Sequence, residues 1–260
     1  MKKSAMLLAG LLTCFGLVSC DDSATPETAS LYGVINDCLV GKIDITYTGK
    51  TVSEAKIDEC YFLTQTALLP AEHEGIADTD TISVTVESWS GPATNTYSKY
   101  MKIGDTVYTG TLREATSEEY GLAEYIKWTS SSTDDLFKSV KSSAAAAEQW
   151  YNDIVNGNVN FCTATGTVIE NIALGYKTAG YTTPNKAAED STYWPQTETV
   201  MGWKGNIAKV EEALCIDYSS KPVVNLNDKI WWINNTASGA TIERFAEYVD
   251  LVYNFFAPAE

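Results

Sequence analysis

The turn Ser238-Gly239-Ala240-Thr241 is the part of this chain whose residue types and spacing can do chemistry. Ahead of it runs Ile230, Trp231, Trp232 and Ile233, which reads as a short buried strand. Behind it, Ile242, Phe245, Ala246, Val249, Tyr253 and Phe256 recur at the steps of an amphipathic helix with its apolar stripe on a core. Strand, small-residue turn and helix start, in that order, suit an anion. Orphan backbone amides and the positive end of the helix dipole converge there. Gly239 admits positive φ or a close ligand, and Ala240 keeps the approach open.

Elsewhere the reactive inventory is thin. His73 is the one histidine, on the polar stretch Ala71-Glu72-His73-Glu74-Gly75. Neither a GxSxG elbow nor an HExxH helix occurs, and no phosphate-cradling glycine loop is present. Asp78 and Asp80 lack the spaced glutamate that a calcium loop needs. The expectation is an electron carrier or a binding protein rather than a catalyst, with no metal site.

The four residues Ser238, Gly239, Ala240 and Thr241 resemble the attachment sequence of the FMN-binding domain family, found in membrane redox complexes and cell-surface flavin lipoproteins. The resemblance implies FMN bound through its phosphate to the Thr241 hydroxyl, installed by a separate flavin transferase. Ser238, Gly239 and Ala240 would shape the turn. The hairpin Gly41 to Val52, with its Gly49-Lys50 turn, is similar in pattern to the opening hairpin of that family. The chain departs from the family at Asn235, where Asp is usual, and at Glu243, where Ser or Thr is.

The N-terminus carries its own signal. Met1-Lys2-Lys3 and the apolar run from Ala5 to Val18 predict a secretory signal peptide over residues 1–19. Leu17-Val18-Ser19-Cys20 resembles the lipobox of bacterial lipoproteins, which implies acylation of Cys20. Residues 20–30 are polar and read as a tether to a module over 31–260. The expected location is therefore extracytoplasmic, on a bacterial membrane held through the lipid.

Composition narrows the partners. With 45% apolar and 11% aromatic residues the chain is globular. Of 18 basic residues Lys2 and Lys3 leave with the signal, so the mature chain is still more acidic than the full-length net charge of −16. That balance argues against nucleic acid and anionic headgroups as partners.

Of six cysteines, Cys14 leaves with the signal and Cys20 takes the lipid. Cys38, Cys60, Cys162 and Cys215 remain, an even number that predicts two disulfides in an oxidising compartment. The alternating segments Val40–Tyr47 and Thr51–Ile57 form a hairpin in which Cys38 and Cys60 each stand 11 residues from Gly49. That spacing favours Cys38–Cys60 and leaves Cys162–Cys215. Thr81–Trp89, Lys99–Ile103 and Thr106–Thr111 read as further strands, so residues 31–112 are expected to supply an antiparallel sheet.

The fold class is therefore α+β, an antiparallel sheet with packed amphipathic helices. Leu136, Val140, Ala144, Ala147, Tyr151 and Ile154 stripe one helix, ended by Asn156-Gly157. Thr163-Ala164-Thr165-Gly166-Thr167-Val168-Ile169-Glu170 echoes Thr236-Ala237-Ser238-Gly239-Ala240-Thr241-Ile242-Glu243. Each follows a helix, which makes a degenerate internal repeat of units near 131–176 and 203–256. Val168 stands where Thr241 stands and has no hydroxyl to esterify.

Two readings result. One is electron transfer through FMN on Thr241, delivered to a redox partner. The other is a surface lipoprotein without flavin that binds a ligand or protein through the aromatic loop at Tyr193-Trp194, with Ser238 acting as a helix N-cap. The turn and its duplication favour the first. Asn235, Glu243 and Val168 favour the second.

Overall fold

Alternating apolar residues build a central sheet from the first part of the chain. The computed structural model describes residues 25–64, 76–86, 91–113, 125–170, 174–178 and 180–257. The signal segment, Cys20 and His73 lie outside the described residues. Strands β1 (Glu27–Ile35), β2 (Leu39–Thr48) and β3 (Thr51–Tyr61) pair antiparallel in that order. The sheet thus begins at Glu27, inside the segment that reads as a tether.

Side chains two apart share a face of a strand. The register Leu31↔Ile43↔Ile57 and Ile35↔Leu39↔Tyr61 therefore gathers one apolar face, which also carries Glu59 opposite Gly41. Helices α4 (Gly202–Ala213) and α5 (Phe245–Phe256) serve this side, with α4 against β3 and α5 against β1. Gly33 and Gly41 face each other across the register. A Cβ on Gly33 would lie 3.1 Å from Leu251 Cδ1, so the bare backbone there leaves room for α5, whereas one on Gly41 would lie 3.0 Å from Ile35 Cγ1 and in ordinary contact with the Tyr248 ring. The other face carries α2 (Ala144–Val155), whose Tyr151 ring meets Tyr32 edge-on at 5.6 Å.

The remaining strands form smaller sheets. Strands β4 (Thr81–Val86) and β5 (Ala93–Ser98) make a hairpin. Strands β6 (Tyr100–Ile103), β7 (Thr106–Leu112), β8 (Ile126–Thr129) and β9 (Val159–Phe161) form a sheet in the order β8-β7-β6-β9. Strands β10 (Val224–Asn227), β11 (Ile230–Ile233) and β12 (Thr236–Ala237) form another. Residues 31–112 therefore feed three sheets, not one. The chain changes partner at Lys99, whose amide bonds Asp80 O at 2.7 Å while its carbonyl takes Gly110 N at 2.8 Å. The class is α+β, with antiparallel sheets and helices packed against them.

Two expectations about helices change. The stripe from Leu136 to Ile154 is carried by two helices, α1 (Leu136–Lys141) and α2, separated at Ser142-Ser143. Ser143 is extended, and its Oγ accepts Ala146 N–H at 3.2 Å, so a serine cap wins over helix continuation. A short helix α3 (Gly175–Thr178) follows β9. Near the C-terminus α5 starts at Phe245, one turn after Thr241. Ser238 is accordingly not its N-cap. Strand β11 is also less buried than expected, because the sheet it belongs to has an outer face. Only Ile233 within it is buried, and Ile230 keeps 37% exposure.

The disulfide expectation is overturned. Cys38, Cys60, Cys162 and Cys215 are all free thiols. The hairpin turns on two residues, Gly49-Lys50, rather than on Gly49 alone, and a bulge between Thr46 and Tyr47 leaves Ser53 unpaired. Those two slips set Cys60 opposite Val40, while Cys38 O accepts Phe62 N–H. The two thiols are displaced by two residues, about 7 Å along the strand. Cys162 follows β9 and bridges Val168, whereas Cys215 follows α4 and donates its thiol to Glu211 O at 3.4 Å. They belong to different sheets' surroundings.

Candidate functional site

The Ser238–Thr241 turn is built on Trp231 of β11. Ser238 N–H and Oγ–H both donate to Trp231 O, at 2.9 and 2.7 Å, and Ala240 O accepts Trp231 N–H at 3.0 Å. The indole Nε1–H donates to Ile242 O at 2.6 Å, so one tryptophan holds both ends of the turn. Gly239 sits at φ +76°, the left-handed region that favours glycine. Lys209 of α4 runs beneath it, with Cδ 3.6 Å from where a Cβ would stand. Ala240 is wholly buried and Thr241 is exposed.

Asn206 of α4 fixes the threonine. Its buried Oδ1 accepts Thr241 Oγ1–H at 2.9 Å and Thr241 N–H at 3.0 Å, while its Nδ2 donates to Gly202 O at 3.0 Å. The hydroxyl is thereby tied to a buried side chain while Thr241 itself stays exposed. Asn206 is an amide and orients the group without deprotonating it. The amides of Ile242 and Glu243 donate to no backbone carbonyl among the described residues, leaving them for solvent or an anion. Glu243 is exposed beside them.

One turn earlier on α4, Trp203 leads to a buried polar centre that the sequence does not announce. Asp58 of β3 accepts four bonds: from Glu59 N–H, Ala187 N–H, Tyr151 Oη and Asn185 Nδ2, at 2.5–2.8 Å. With Lys186 N–H donating to Glu59 O at 2.9 Å, these bonds lay residues 185–187 along the edge of β3. Lys186 is thereby driven into the core. Its Nζ meets Glu59 Oε2 at 2.7 Å, with side-chain exposures of 2% and 0%. Trp203 Nε1–H donates to the same oxygen at 3.2 Å.

Beside this pair lies a cavity of about 260 Å³ lined by Cys38, Tyr61, Tyr181, Lys186, Tyr193 and Arg244. Tyr61 stacks on Tyr181 at 6.1 Å between centroids, and Tyr193 meets Tyr181 edge-on at 5.2 Å. Lys186 Nζ stands 4.0 Å over the Tyr193 ring. Arg244 Nη2 donates to Cys38 Sγ at 3.4 Å. Burial opposes the Arg244 charge, but the fields of Cys38 and Glu59 outweigh it and raise its pKa. Burial also pushes the Tyr61 phenol up, with Tyr181 and Tyr193 adding to the shift.

The sequence-predicted turn residues are brought together as one unit with Thr241 at its surface. In the segment 163–170, which the sequence pairs with this turn, Gly166 likewise takes positive φ, at +82°, and Val168 is exposed. Of the aromatic loop, Tyr193 lines the cavity and Trp194 is 42% exposed, but Trp203 is buried. Glu59, Lys186, Tyr181 and Arg244 went unforeseen. For Glu59 a signal existed: it occupies an inward position of β3 between Ile57 and Tyr61. No known protein family, curated protein or solved structure matches the chain.

Proposed function

We propose that the protein is a lipid-anchored extracytoplasmic electron carrier that holds FMN as a phosphoester on Thr241. The observation that carries the reading is the Thr241 hydroxyl, on an exposed residue and held by Asn206. A hydroxyl held on a rigid turn is what a modifying enzyme needs from its acceptor: the oxygen would attack the phosphorus of an activated FMN donor, the donor's leaving group would depart, and the hydroxyl proton would pass to the transferase. Ser238 and Gly239 set the turn, the Ile242 and Glu243 amides would be the donors at hand for the phosphate, and the Lys209 stem passes below. Glu243 adds a like charge that these donors must offset. The flavin would supply the redox chemistry, and the chain its position and surroundings. Cys20 would keep the carrier at the membrane.

The test is export of the mature chain together with a flavin transferase, followed by denaturation, in-gel flavin fluorescence and intact mass. An FMN-sized gain that persists in Thr241→Ser and vanishes in Thr241→Ala is the expected result. An unmodified mass and a dark band refute it. The second reading, a ligand-binding lipoprotein without flavin, would then stand, and the tyrosine-lined cavity is the observation that favours it.

A further inference from the structure

The cavity beside the Glu59–Lys186 pair contains more buried polarity than its own residues satisfy. Tyr61 is 3% exposed, and its hydroxyl has no partner among the described residues. Arg244 Nε is likewise buried and without one. The guanidinium's recorded contact is a thiol, a weak acceptor, and no carboxylate forms an ion pair with it among the described residues. Glu59 lends its charge to Lys186, and Glu247, one turn along α5, spends Oε2 on the amide of Asn36 at 2.6 Å. Tyr61 and Arg244 both line the cavity, so two buried donors are left unmet beside it. Such groups mark a place where a ligand supplies the missing acceptors.

The geometry points to a binding site for a small aromatic carboxylate, its anion on Arg244 and Tyr61 and its ring on the faces of Tyr181 and Tyr193. The donors select the anion. Arginine offers a planar fork that matches a carboxylate, and the Tyr61 O–H adds a third direction. The rings select the body, because Tyr181 and Tyr193 are half-buried and offer apolar faces at the mouth. A volume of about 260 Å³ is enough for a single ring with its acid group. Lys186 is a positioning residue here. It braces Tyr193 through its ring contact and its pair with Glu59. The site is separate from the flavin reading, since Thr241 does not line it.

The probe is sodium benzoate, titrated by calorimetry into the full mature chain made without a flavin transferase, so that flavin has no part in the outcome. Acetate supplies the charge without the ring, and benzyl alcohol the ring without the charge. A saturable one-site isotherm for benzoate, about tenfold tighter than for either comparator, is expected. Arg244→Gln should weaken benzoate about tenfold or more while leaving benzyl alcohol unchanged. Tyr181→Leu, at a half-buried position that α5 does not use, should weaken both aromatic probes and spare acetate. Far-UV circular dichroism establishes that each variant is folded, and if Arg244→Gln is not, Tyr181→Leu decides. Benzoate binding no tighter than acetate, no detectable heat for benzoate, or affinity indifferent to a folded variant overturns the assignment.

Discussion

Lys186→Met removes a buried ammonium and keeps a straight stem. Glu59 would then remain at 0% exposure with Trp203 Nε1–H, 3.2 Å away, as its surviving side-chain donor. Deleting one member of a buried ion pair costs about 3–5 kcal/mol, because the other charge stays uncompensated. The lost ring contact with Tyr193 adds about 1 kcal/mol or less. With a urea m-value of about 3 kcal/mol/M, the unfolding midpoint should fall by roughly 1–2 M. The double variant Glu59→Leu with Lys186→Met replaces the pair by apolar groups and should recover most of that loss. A double-mutant cycle should then show a coupling of about 2 kcal/mol or more. Urea unfolding followed by circular dichroism and tryptophan fluorescence reads both quantities. A midpoint shift below about 0.3 M for Lys186→Met, or additive single effects, would refute the picture of a dry and mutually dependent pair.

Three further outcomes can be checked. Gly41→Val would drive a branched side chain into Ile35, where even a Cβ comes within 3.0 Å, and should cost about 1–3 kcal/mol in urea unfolding; no loss would mean that the space beside Ile35 is not tight. Alkylation of the unreduced, denatured protein should label Cys38, Cys60, Cys162 and Cys215, and in the native protein the fully buried Cys60 and Cys162 should resist; a pair of thiols blocked until reduction would restore a disulfide. Burial raises the Glu247 pKa, against the Asn36 amide and Arg244, so its favourable contribution is complete below the ordinary glutamate range and fades as pH rises through the folded value. Glu247→Gln should therefore gain melting temperature relative to wild type as pH goes from about 4 to 7, and a pH-independent difference would contradict the assignment.

The parts of the fold that follow from local pattern were legible in the sequence. Alternation in residues 40–57 marks β2 and β3, and the Gly104-Asp105 turn marks β6 and β7. What escaped depends on single residues competing against a pattern. The unpaired Ser53 shifts the register by one, and nothing in Thr51–Tyr61 distinguishes a bulged strand from a regular one. Ser143 splits a helix whose apolar stripe runs on without a break. At the candidate turn, Ser238 to Thr241 stand out in the sequence because they form a local motif. Lys186 and Arg244 were missed because their environment is assembled from distant segments, and a lysine between Asn185 and Ala187 carries no periodic signal of burial. Trp203 is buried on the inward face of α4 beside Ile207, a position set by helical spacing.

The contacts that close the polar centre span long stretches of chain. Glu59 and Lys186 are 127 positions apart, Cys38 and Arg244 206, and Asn36 and Glu247 211. A ribosome delivers β1, β2 and β3 long before α4 and α5. During that interval the nascent sheet carries Ile43, Ile57 and Leu31 on a face with no cover, and Glu59 keeps its water. Closing a loop of about 200 residues costs on the order of 5 kcal/mol of chain entropy before any contact rewards it. Folding should accordingly be slow and should end, not begin, with dehydration of the Glu59 carboxylate. A holding chaperone would find its binding surface on that waiting sheet face, and would be displaced by α5 as its tyrosine settles over Gly41.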